Sequence, residues 1–193
     1  CELGVPTVLC GQLEGHPYRD VFSTVYSDDE EGGRCAALAM KERGRKDIVA
    51  VLGPQDNPAV VDRLRGYRAV LGEDLPDANV IYTGWNNGDG YQAMHQILAR
   101  EIAFDGVLCG SDRIAAGVIT ALNEAGLSVP ADISVVGFDD HEIATRCVPA
   151  LTTVRQPLRE EGHMAANIAL DMIKGAEPTT SVMHMQLIQR DSL

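Results

Sequence analysis

The chain has 193 residues, of which 45% are hydrophobic and 23% are charged. These proportions are ordinary for a globular protein and exclude a disordered chain, a collagen and a coiled coil. The sequence carries 16 basic and 28 acidic residues, which gives a formal net charge of −12. Because no basic cluster offsets that charge, we expect the chain by itself not to hold DNA. An alternative is that the acidity serves solubility alone.

Targeting and metal-binding signals are missing from the sequence. No apolar run approaches the roughly 18 residues that a membrane span needs, so we expect no membrane partner. Residues 1–4 form neither the basic nor the apolar region of a signal peptide, and the chain starts without Met. We therefore expect a fragment or processed form. The five cysteines and five histidines form no CxxC, HExxH or mixed cluster, which argues against a metal site or a disulfide framework. The cysteine pattern favours a reducing cytoplasm as the protein's location.

Strands and helices alternate along the sequence. Hydrophobic period, cap residues and glycine stops predict the elements. Strands are predicted at 5–10, 20–26, 48–52, 79–83, 106–109, 133–138, 152–155 and 183–188, with a loop containing Gly15 and Pro17 after the first. Helices are predicted at 27–43, 57–71, 89–100, 111–125 and 158–174.

The apolar strands indicate how the sheet is built. Strands such as 48–52 and 133–138 are apolar throughout rather than alternating. Such strands, joined by helices, predict an α/β fold whose parallel sheet is covered on both faces. Ligands of such sheets bind beyond the carboxyl ends of the strands. We therefore look for a site among the polar residues that follow each strand.

Catalytic and nucleotide-binding patterns are absent from these strand ends. GxGxxG and GxxxxGK[ST] do not occur, and we expect no cofactor. Ser111 follows a strand without the GxSxG pattern of a hydrolase, and Ser111 with Asp112 reads more simply as a helix N-cap pair. Asp139 and Asp140 are neighbours in a segment predicted to be extended, so their side chains would point apart. We therefore expect no catalysis.

A guanidinium, an indole and a carboxylate remain as a candidate binding site. Arg63 lies near the start of a helix, Trp85 sits just after a strand, and Asp139 follows a buried strand. Carboxylate and guanidinium groups bind hydroxyl pairs, and an indole packs on a sugar ring or a flat base. Each residue also has a structural alternative: core packing for Trp85, a surface salt bridge for Arg63 and a turn cap at 141–142 for Asp139.

One long stretch resembles the effector-binding core of the LacI/GalR family of bacterial transcription regulators. The strongest similarity covers residues 105–162, with DGVLCGSDRIAAGVITALNEAGLSVPADISVVGFDD followed by PALTTVRQPLREEG. The pattern G-L-x-V-P-x-D-(I/V)-S-V-V-G-(F/Y)-D and the later P-x-L-T-T-(V/I)-x-Q are both present. The resemblance implies a type I periplasmic-binding-protein-like fold, with Rossmann-like parallel sheets in two lobes and the effector between them.

The resemblance also implies domain boundaries. It predicts a partial N-terminal lobe from 1–26 and 157–177, and a C-terminal lobe from 27–156 and 178–193. The first lobe is expected to be incomplete, and operator DNA would be bound only through an N-terminal helix-turn-helix that this chain lacks.

The same resemblance assigns roles to individual residues. Arg63 and Asp139 match residues that contact the effector, and Trp85 matches the aromatic residue that stacks on it. Ser111 takes the place of an Asn or a small residue that faces the ligand, and Gln156 lies where the last strand crosses.

Together these observations predict the effector-binding and dimerisation core of a LacI-type regulator, with a sugar or sugar derivative as effector. The runner-up is a periplasmic sugar-binding protein of a transport system. We expect a homodimer formed by helices of the C-terminal lobe, for which Ile114, Val118 and Leu122 are candidates. The alternative is that these three residues only cover the sheet.

Overall fold

The structure, a computed structural model, describes residues 5–12, 21–100 and 102–193. Two compact units are formed, one from 1–28 and 157–185 and the other from 29–156 and 186–193; they are called the first and second unit below. The elements in the described residues are β1 (Val8–Cys10), β2 (Ser23–Ser27), α1 (Asp29–Glu42), β3 (Ile48–Leu52), α2 (Pro58–Leu71), β4 (Val80–Tyr82), α3 (Asn87–Leu98), β5 (Gly106–Cys109), α4 (Asp112–Glu124), β6 (Ser134–Asp139), α5 (Glu142–Arg146), β7 (Thr152–Arg155), α6 (Leu158–Ile173), β8 (Thr180–Met183) and β9 (Gln186–Ile188).

The predicted alternation of strands and helices is confirmed, and local signals explain where several elements begin. Asn57 caps α2 by accepting from the backbone N–H of Ala59, and Pro58 opens the helix. The loop predicted around Gly15 and Pro17 lies outside the described residues, as does the start of the predicted 20–26 strand.

Two predicted details of the chain order are wrong. The last strand, predicted over 183–188, is two strands, because β8 pairs with β2 whereas β9 pairs with β7. The five-residue helix α5 was not predicted, since one turn and a half is too short to display a helical period.

The second unit contains a six-stranded sheet in the order β4-β3-β5-β6-β7-β9. The first five of these strands are parallel, as predicted, but the edge strand β9 is antiparallel to β7. The sheet is therefore mixed rather than purely parallel. An antiparallel edge strand is common in α/β folds, because the chain can reach the edge without a helical crossover.

The first unit contains the three-stranded parallel sheet β1-β2-β8 and the helix α6. The strand β8 belongs to this unit because Thr24 to Ser27 of β2 lie in register with Thr180 to Met183. Residues 178–185, predicted in the C-terminal lobe, therefore lie in the first unit. The observed boundaries fall at 28 and 185, compared with the predicted 26 and 177.

One hydrophobic core cluster of the second unit lies between its sheet and helices α3 and α4. Ile114, Val118 and Leu122 are completely buried in this core. The expectation that these three residues contact a second copy is therefore wrong, and the alternative that they cover the sheet is correct. Their spacing predicts an apolar face, but cannot distinguish a sheet from a partner as the surface that covers it.

Helices α1 and α2 cross at two glycines with their backbones in close contact. A Cβ on Gly66 would lie 2.2 Å from the carbonyl oxygen of Glu30, and one on Gly33 would lie 2.4 Å from that of Arg63. Only glycine permits this approach, because any side chain would overlap the facing backbone. The crossing brings the first turn of α1 next to Arg63 on α2.

No helix in the described part of the chain is long and apolar enough to cross a membrane.

Candidate functional site

The predicted site residues follow neighbouring strands of the second unit. The sheet order places the ends of β4, β3, β5, β6 and β7 side by side, so Trp85, Ser111, Asp139 and Gln156 share its carboxyl edge. The chain runs from β3 to β4 on one side and then continues with β5 on the other side of β3. Such a reversal creates a crevice at the carboxyl ends, the usual ligand position in open α/β sheets.

Arg63 is held rigidly beneath this edge. Its Nε donates to Oδ1 of Asp29 over 2.7 Å, and its Nη1 donates to the carbonyl oxygen of Gly110 over 2.5 Å. Its Cζ lies 3.7 Å from the centroid of the Phe138 ring, a cation–π contact. Arg63 is only 4% exposed, so the prediction of a surface salt bridge is wrong, and a buried ion pair replaces it.

Asp139 lies within reach of that guanidinium. Its Oδ1 is 3.7 Å from Nη1 of Arg63 and accepts a 2.7 Å hydrogen bond from Nε2 of Gln156. Arg63, Asp139 and Gln156, predicted separately, therefore form one cluster. The turn-cap alternative for Asp139 is wrong, because His141 caps α5 by accepting from the backbone N–H of Ile143.

Two polar atoms of the cluster have no hydrogen-bond partner among the described residues: Nη2 of Arg63 and Oδ2 of Asp139. The side chain of Asp139 keeps 34% of its surface exposed. Burial raises the pKa of Asp139 to about 6, against the opposing effect of Arg63. At neutral pH the cluster therefore offers a donor next to a mostly ionised acceptor.

The Trp85 ring packs directly on the backbone of Gly53, where any side chain would overlap the ring. A Cβ on Gly53, the residue after β3, would lie 2.4 Å from Cη2 of the Trp85 ring. The ring also packs against the core of the second unit, yet it is only partly buried. Core packing and ligand stacking are therefore compatible for Trp85, because one part of the ring is held and another part is open.

Ser111 has the structural role that the sequence offered as an alternative. Its Oγ accepts from the backbone N–H of Ile114 over 3.2 Å and caps α4. The residue is 4% exposed. A ligand contact by Ser111 stays a prediction, and the cap already uses its hydroxyl oxygen.

Three acidic residues of this region have roles that the sequence analysis missed. Asp29 pairs with Arg63 from another helix. Asp112 is not a cap: its buried carboxylate accepts from Oγ1 of Thr153 and from the backbone N–H of His141. Motif spacing in the sequence does not reveal these contacts, because each of them joins residues at least 29 positions apart.

Asp140 is the third of these residues, and its backbone also departs from the prediction. Asp139 and Asp140 have φ angles of 107° and 56°, so the extended segment predicted for this pair is wrong. Their carboxylates still diverge, because Asp140 binds Arg155 over 2.6 Å and Arg190 over 2.5 Å. Despite partial burial, these two guanidinium groups lower the pKa of Asp140.

No group of three or more potential metal ligands occurs among residues 5–12, 21–100 and 102–193.

The fold defines the class of protein: an α/β unit whose carboxyl edge carries a paired guanidinium and carboxylate. The profile of the family described as "Periplasmic binding protein-like domain" matches residues 37–193. The chain belongs to this family of periplasmic-binding-protein-like domains, in the form found in LacI-family transcription regulators. The predicted fold class and the resemblance to LacI-type regulators are confirmed.

Two curated relatives show how much of a longer protein is represented. The HTH-type transcriptional repressor PurR of Escherichia fergusonii is 37% identical over 184 residues, which cover 93% of this chain and 54% of that protein. The HTH-type transcriptional regulator CelR of Thermobifida fusca is 36% identical over 196 residues, covering 99% of this chain and 57% of that protein. The chain thus spans slightly more than half the length of these relatives.

Solved structures with bound sugars are also similar. A transcriptional regulator CelR–cellobiose complex matches with a TM-score of 0.91 and 35% identity over 100% of this chain and 60% of its own. A LacI-family transcriptional regulator from Enterococcus faecium with bound ribose matches with a TM-score of 0.85 and 28% identity, over 99% of this chain and 71% of its own.

Proposed function

We propose that the chain binds a small polyhydroxylated effector, a sugar or sugar derivative, at the carboxyl edge of the second unit. The observation that carries the proposal is the convergence of Arg63, Asp139 and Gln156, with Nη2 and Oδ2 open. A fixed donor beside a fixed acceptor matches adjacent hydroxyl groups on a ring. The cellobiose and ribose bound to the two similar regulators support a sugar.

Each residue of the cluster has a distinct task in this proposal. Arg63 donates to a ligand hydroxyl and Asp139 accepts from one. Gln156 orients the carboxylate of Asp139 through its 2.7 Å hydrogen bond. Trp85 packs its open part on the apolar face of the ring, and Ser111 contributes the shape of the α4 N-terminus rather than a strong polar contact.

In the whole protein, effector binding changes the affinity of a separate helix-turn-helix domain for operator DNA. The names of both curated relatives support this, since each is an HTH-type transcriptional regulator or repressor. Physically, the effector shifts an equilibrium between two conformations by its different affinity for each, typically by about 1–3 kcal/mol. This coupling favours a regulator over the periplasmic transport component considered as an alternative.

The protein acts as a homodimer and performs no catalysis in this proposal. The regulator names of the relatives support the second point, since each names a regulator of transcription rather than an enzyme. The candidate catalytic groups are also engaged in structural contacts: Ser111 caps α4, and Asp139 and Asp140 point to different cations. The dimer contact lies elsewhere than at Ile114, Val118 and Leu122, which are buried in the core.

A thermal-shift screen of monosaccharides, disaccharides, nucleosides and purines tests the binding proposal. A ligand present at about 100 times its Kd adds about 2.7 kcal/mol to the folded state, which raises the unfolding midpoint measurably. The stabilisation is expected from a sugar and should be lost in Asp139→Asn. The matched control is Asp132→Asn, which removes an exposed carboxylate before the other end of β6. Equal stabilisation of wild type and Asp139→Asn by the same ligand would overturn the site.

A further inference from the structure

Asp112 is a charged side chain in an enclosed position that the ligand contacts do not explain. Its residue is 0% exposed in the second unit. Oδ1 accepts from Oγ1 of Thr153 over 2.5 Å, and Oδ2 accepts from the backbone N–H of His141 over 2.6 Å. Burying a carboxylate is costly even when it is hydrogen-bonded. An apolar residue would fill the position at lower cost, so the hydrogen bonds themselves indicate its role.

One bond of Asp112 ends on the turn that carries Asp139, and the other ends on Thr153 of β7, which bonds the same turn. Asp139 and Asp140 have φ angles of 107° and 56°, a region that costs energy for residues with a side chain. Such a conformation persists only when its surroundings impose it. Asp112 holds the N–H of His141 on the far side of the turn, and Oγ1 of Thr153 accepts from the N–H of Asp140 at 3.4 Å.

The side chain of Asp140 provides a second anchor. It binds Arg155 at the end of β7 and Arg190 after β9, so the turn is attached to two further strands. Gly137 makes room for the first anchor, since a Cβ there would lie 2.3 Å from Oδ1 of Asp112. The turn is therefore restrained from both sides.

We propose that Asp112, together with Thr153, is a positioning residue for effector binding, which fixes the turn of residues 139–141 and so aims the Asp139 carboxylate at the ligand. The proposal rests on the proposed function only for the identity of Asp139 as the ligand-facing group. Asp112 itself contacts no ligand, because the turn and β7 enclose it.

The hydrogen bonds of Asp112 depend on whether its carboxyl is protonated, and this changes near neutral pH. Burial raises the pKa of Asp112 to about 7, against the opposing hydrogen bonds from Thr153 and the His141 N–H. Protonation turns one acceptor oxygen of the Asp112 carboxyl into a donor. The Thr153 hydroxyl and the His141 N–H both donate to this carboxyl, so neither can pair with the new donor without rearrangement. The groups that face Asp112 are the carboxylates of Asp139 and Asp140, the thiols of Cys109 and Cys147, the Thr153 hydroxyl and the His141 N–H.

An NMR titration of the unmodified chain tests the proposal without any ligand. The carboxyl carbon of Asp112 and the backbone amides of residues 139–141 are followed from acid to alkaline pH. If Asp112 fixes the turn, the amides of Asp140 and His141 shift with the same midpoint as the Asp112 carboxyl. Amide signals that show no step at that midpoint would overturn the proposal.

A charge-neutral variant separates geometry from electrostatics. Thr153→Val removes the hydroxyl that bonds both Asp112 and the Asp140 N–H, and it adds or removes no titratable group. Because that hydroxyl also lowers the pKa of Asp112, the variants are compared at alkaline pH, so that the carboxyl stays ionised in both. The Gln156 side-chain amide signal should then move towards that of an unbonded amide, because Asp139 turns away from it. The control Thr120→Val removes an exposed hydroxyl that bonds only Ala116 on α4. Unchanged Gln156 and turn signals in folded Thr153→Val would contradict the positioning role.

The two proposals can fail separately. If the turn signals respond as expected and no sugar binds, the positioning role stands and the proposed function fails. Once an effector is found, Thr153→Val should weaken its binding about tenfold, the scale of one hydrogen bond. In an Asp139→Asn background, Thr153→Val should weaken binding no further, whereas a purely structural effect would remain.

Discussion

Arg63 donates through Nε to Oδ1 of Asp29, the first residue of α1, over 2.7 Å. Their side chains are 5% and 16% exposed, so this is a buried ion pair between two helices. It exists because Gly33 and Gly66 let α1 and α2 approach with their backbones in contact. The pair holds the guanidinium in place before any ligand arrives, and such preorganisation lowers the cost of binding.

Asp29→Ala is expected to destabilise the fold strongly. It leaves the Arg63 charge buried with its shortest anionic contact removed, a change that typically costs about 3–5 kcal/mol. Urea unfolding followed by circular dichroism measures the loss. The control is Glu142→Ala, which breaks the exposed pair with Arg146 and should change stability by less than about 1 kcal/mol. Similar small effects in both variants would show that the Arg63–Asp29 pair is not buried as described.

Gly53→Ala is expected to displace the Trp85 ring. The new Cβ would lie 2.4 Å from Cη2 of the ring, which no real contact allows. Because Trp85 is the only tryptophan, its displacement should shift the fluorescence emission to longer wavelength as solvent reaches the indole. Gly162→Ala on α6 is the control, since nothing lies within 4 Å of its added Cβ. Identical emission from the two variants would contradict the packing of Trp85 on Gly53.

The sequence predicts much of this site because parallel strands end at one edge. Trp85, Asp139 and Gln156 each follow a recognisable apolar strand or a family motif, so their shared position follows from the order of strands. Arg63 is predictable from the family resemblance, which matches it to a residue that contacts the effector. Each of these predictions depends only on a short run of neighbouring residues in the sequence.

Contacts between distant segments could not be predicted from local signals. Asp29 is 34 positions from Arg63, and its role depends on how two helices cross. Asp112 has the sequence appearance of a helix cap, and only the fold brings β7 and the turn of 139–141 against it. The split of the last strand likewise depends on pairing with β2 and β7 rather than on its own residues.

The stability of the chain is expected to fall as pH rises towards neutrality. Burial raises the pKa of Asp112 from 3.8 to about 7 and that of Asp139 from 3.8 to about 6. Between these values the folded chain binds more protons than the unfolded chain, so the stabilisation present below pH 4 is lost as pH rises through 7. One such group contributes a slope of at most about 1.4 kcal/mol per pH unit.

Unfolding midpoints measured from pH 5 to 8 check this dependence. Asp112→Asn should flatten the decline, because the group with the higher pKa no longer titrates. Asp74→Asn, in an exposed turn after α2, should keep the wild-type slope. A wild-type stability that rises from pH 5 to 8, or an unchanged slope in Asp112→Asn, would contradict the buried carboxylate.

The chain alone is expected not to bind duplex DNA. Its formal net charge of −12 repels phosphates, and favourable phosphate contacts would be strongest at low salt. A gel shift at about 50 mM salt is therefore the most sensitive test. Retardation of a duplex at submicromolar protein would show a DNA-binding surface that the charge distribution does not predict.

An effector bound against Trp85, Arg63 and Asp139 must change the surroundings of the indole, so a titration followed by tryptophan fluorescence is the decisive measurement for this site. A sugar that stabilises the chain should change Trp85 emission saturably. Asp139→Asn should weaken that response by about 1.5–3 kcal/mol, the usual scale for a charged hydrogen bond, while Glu177→Ala, at an exposed position of the first unit, should leave it unchanged. A ligand that binds tightly without changing Trp85 emission, and equally well in Asp139→Asn, would contradict the account.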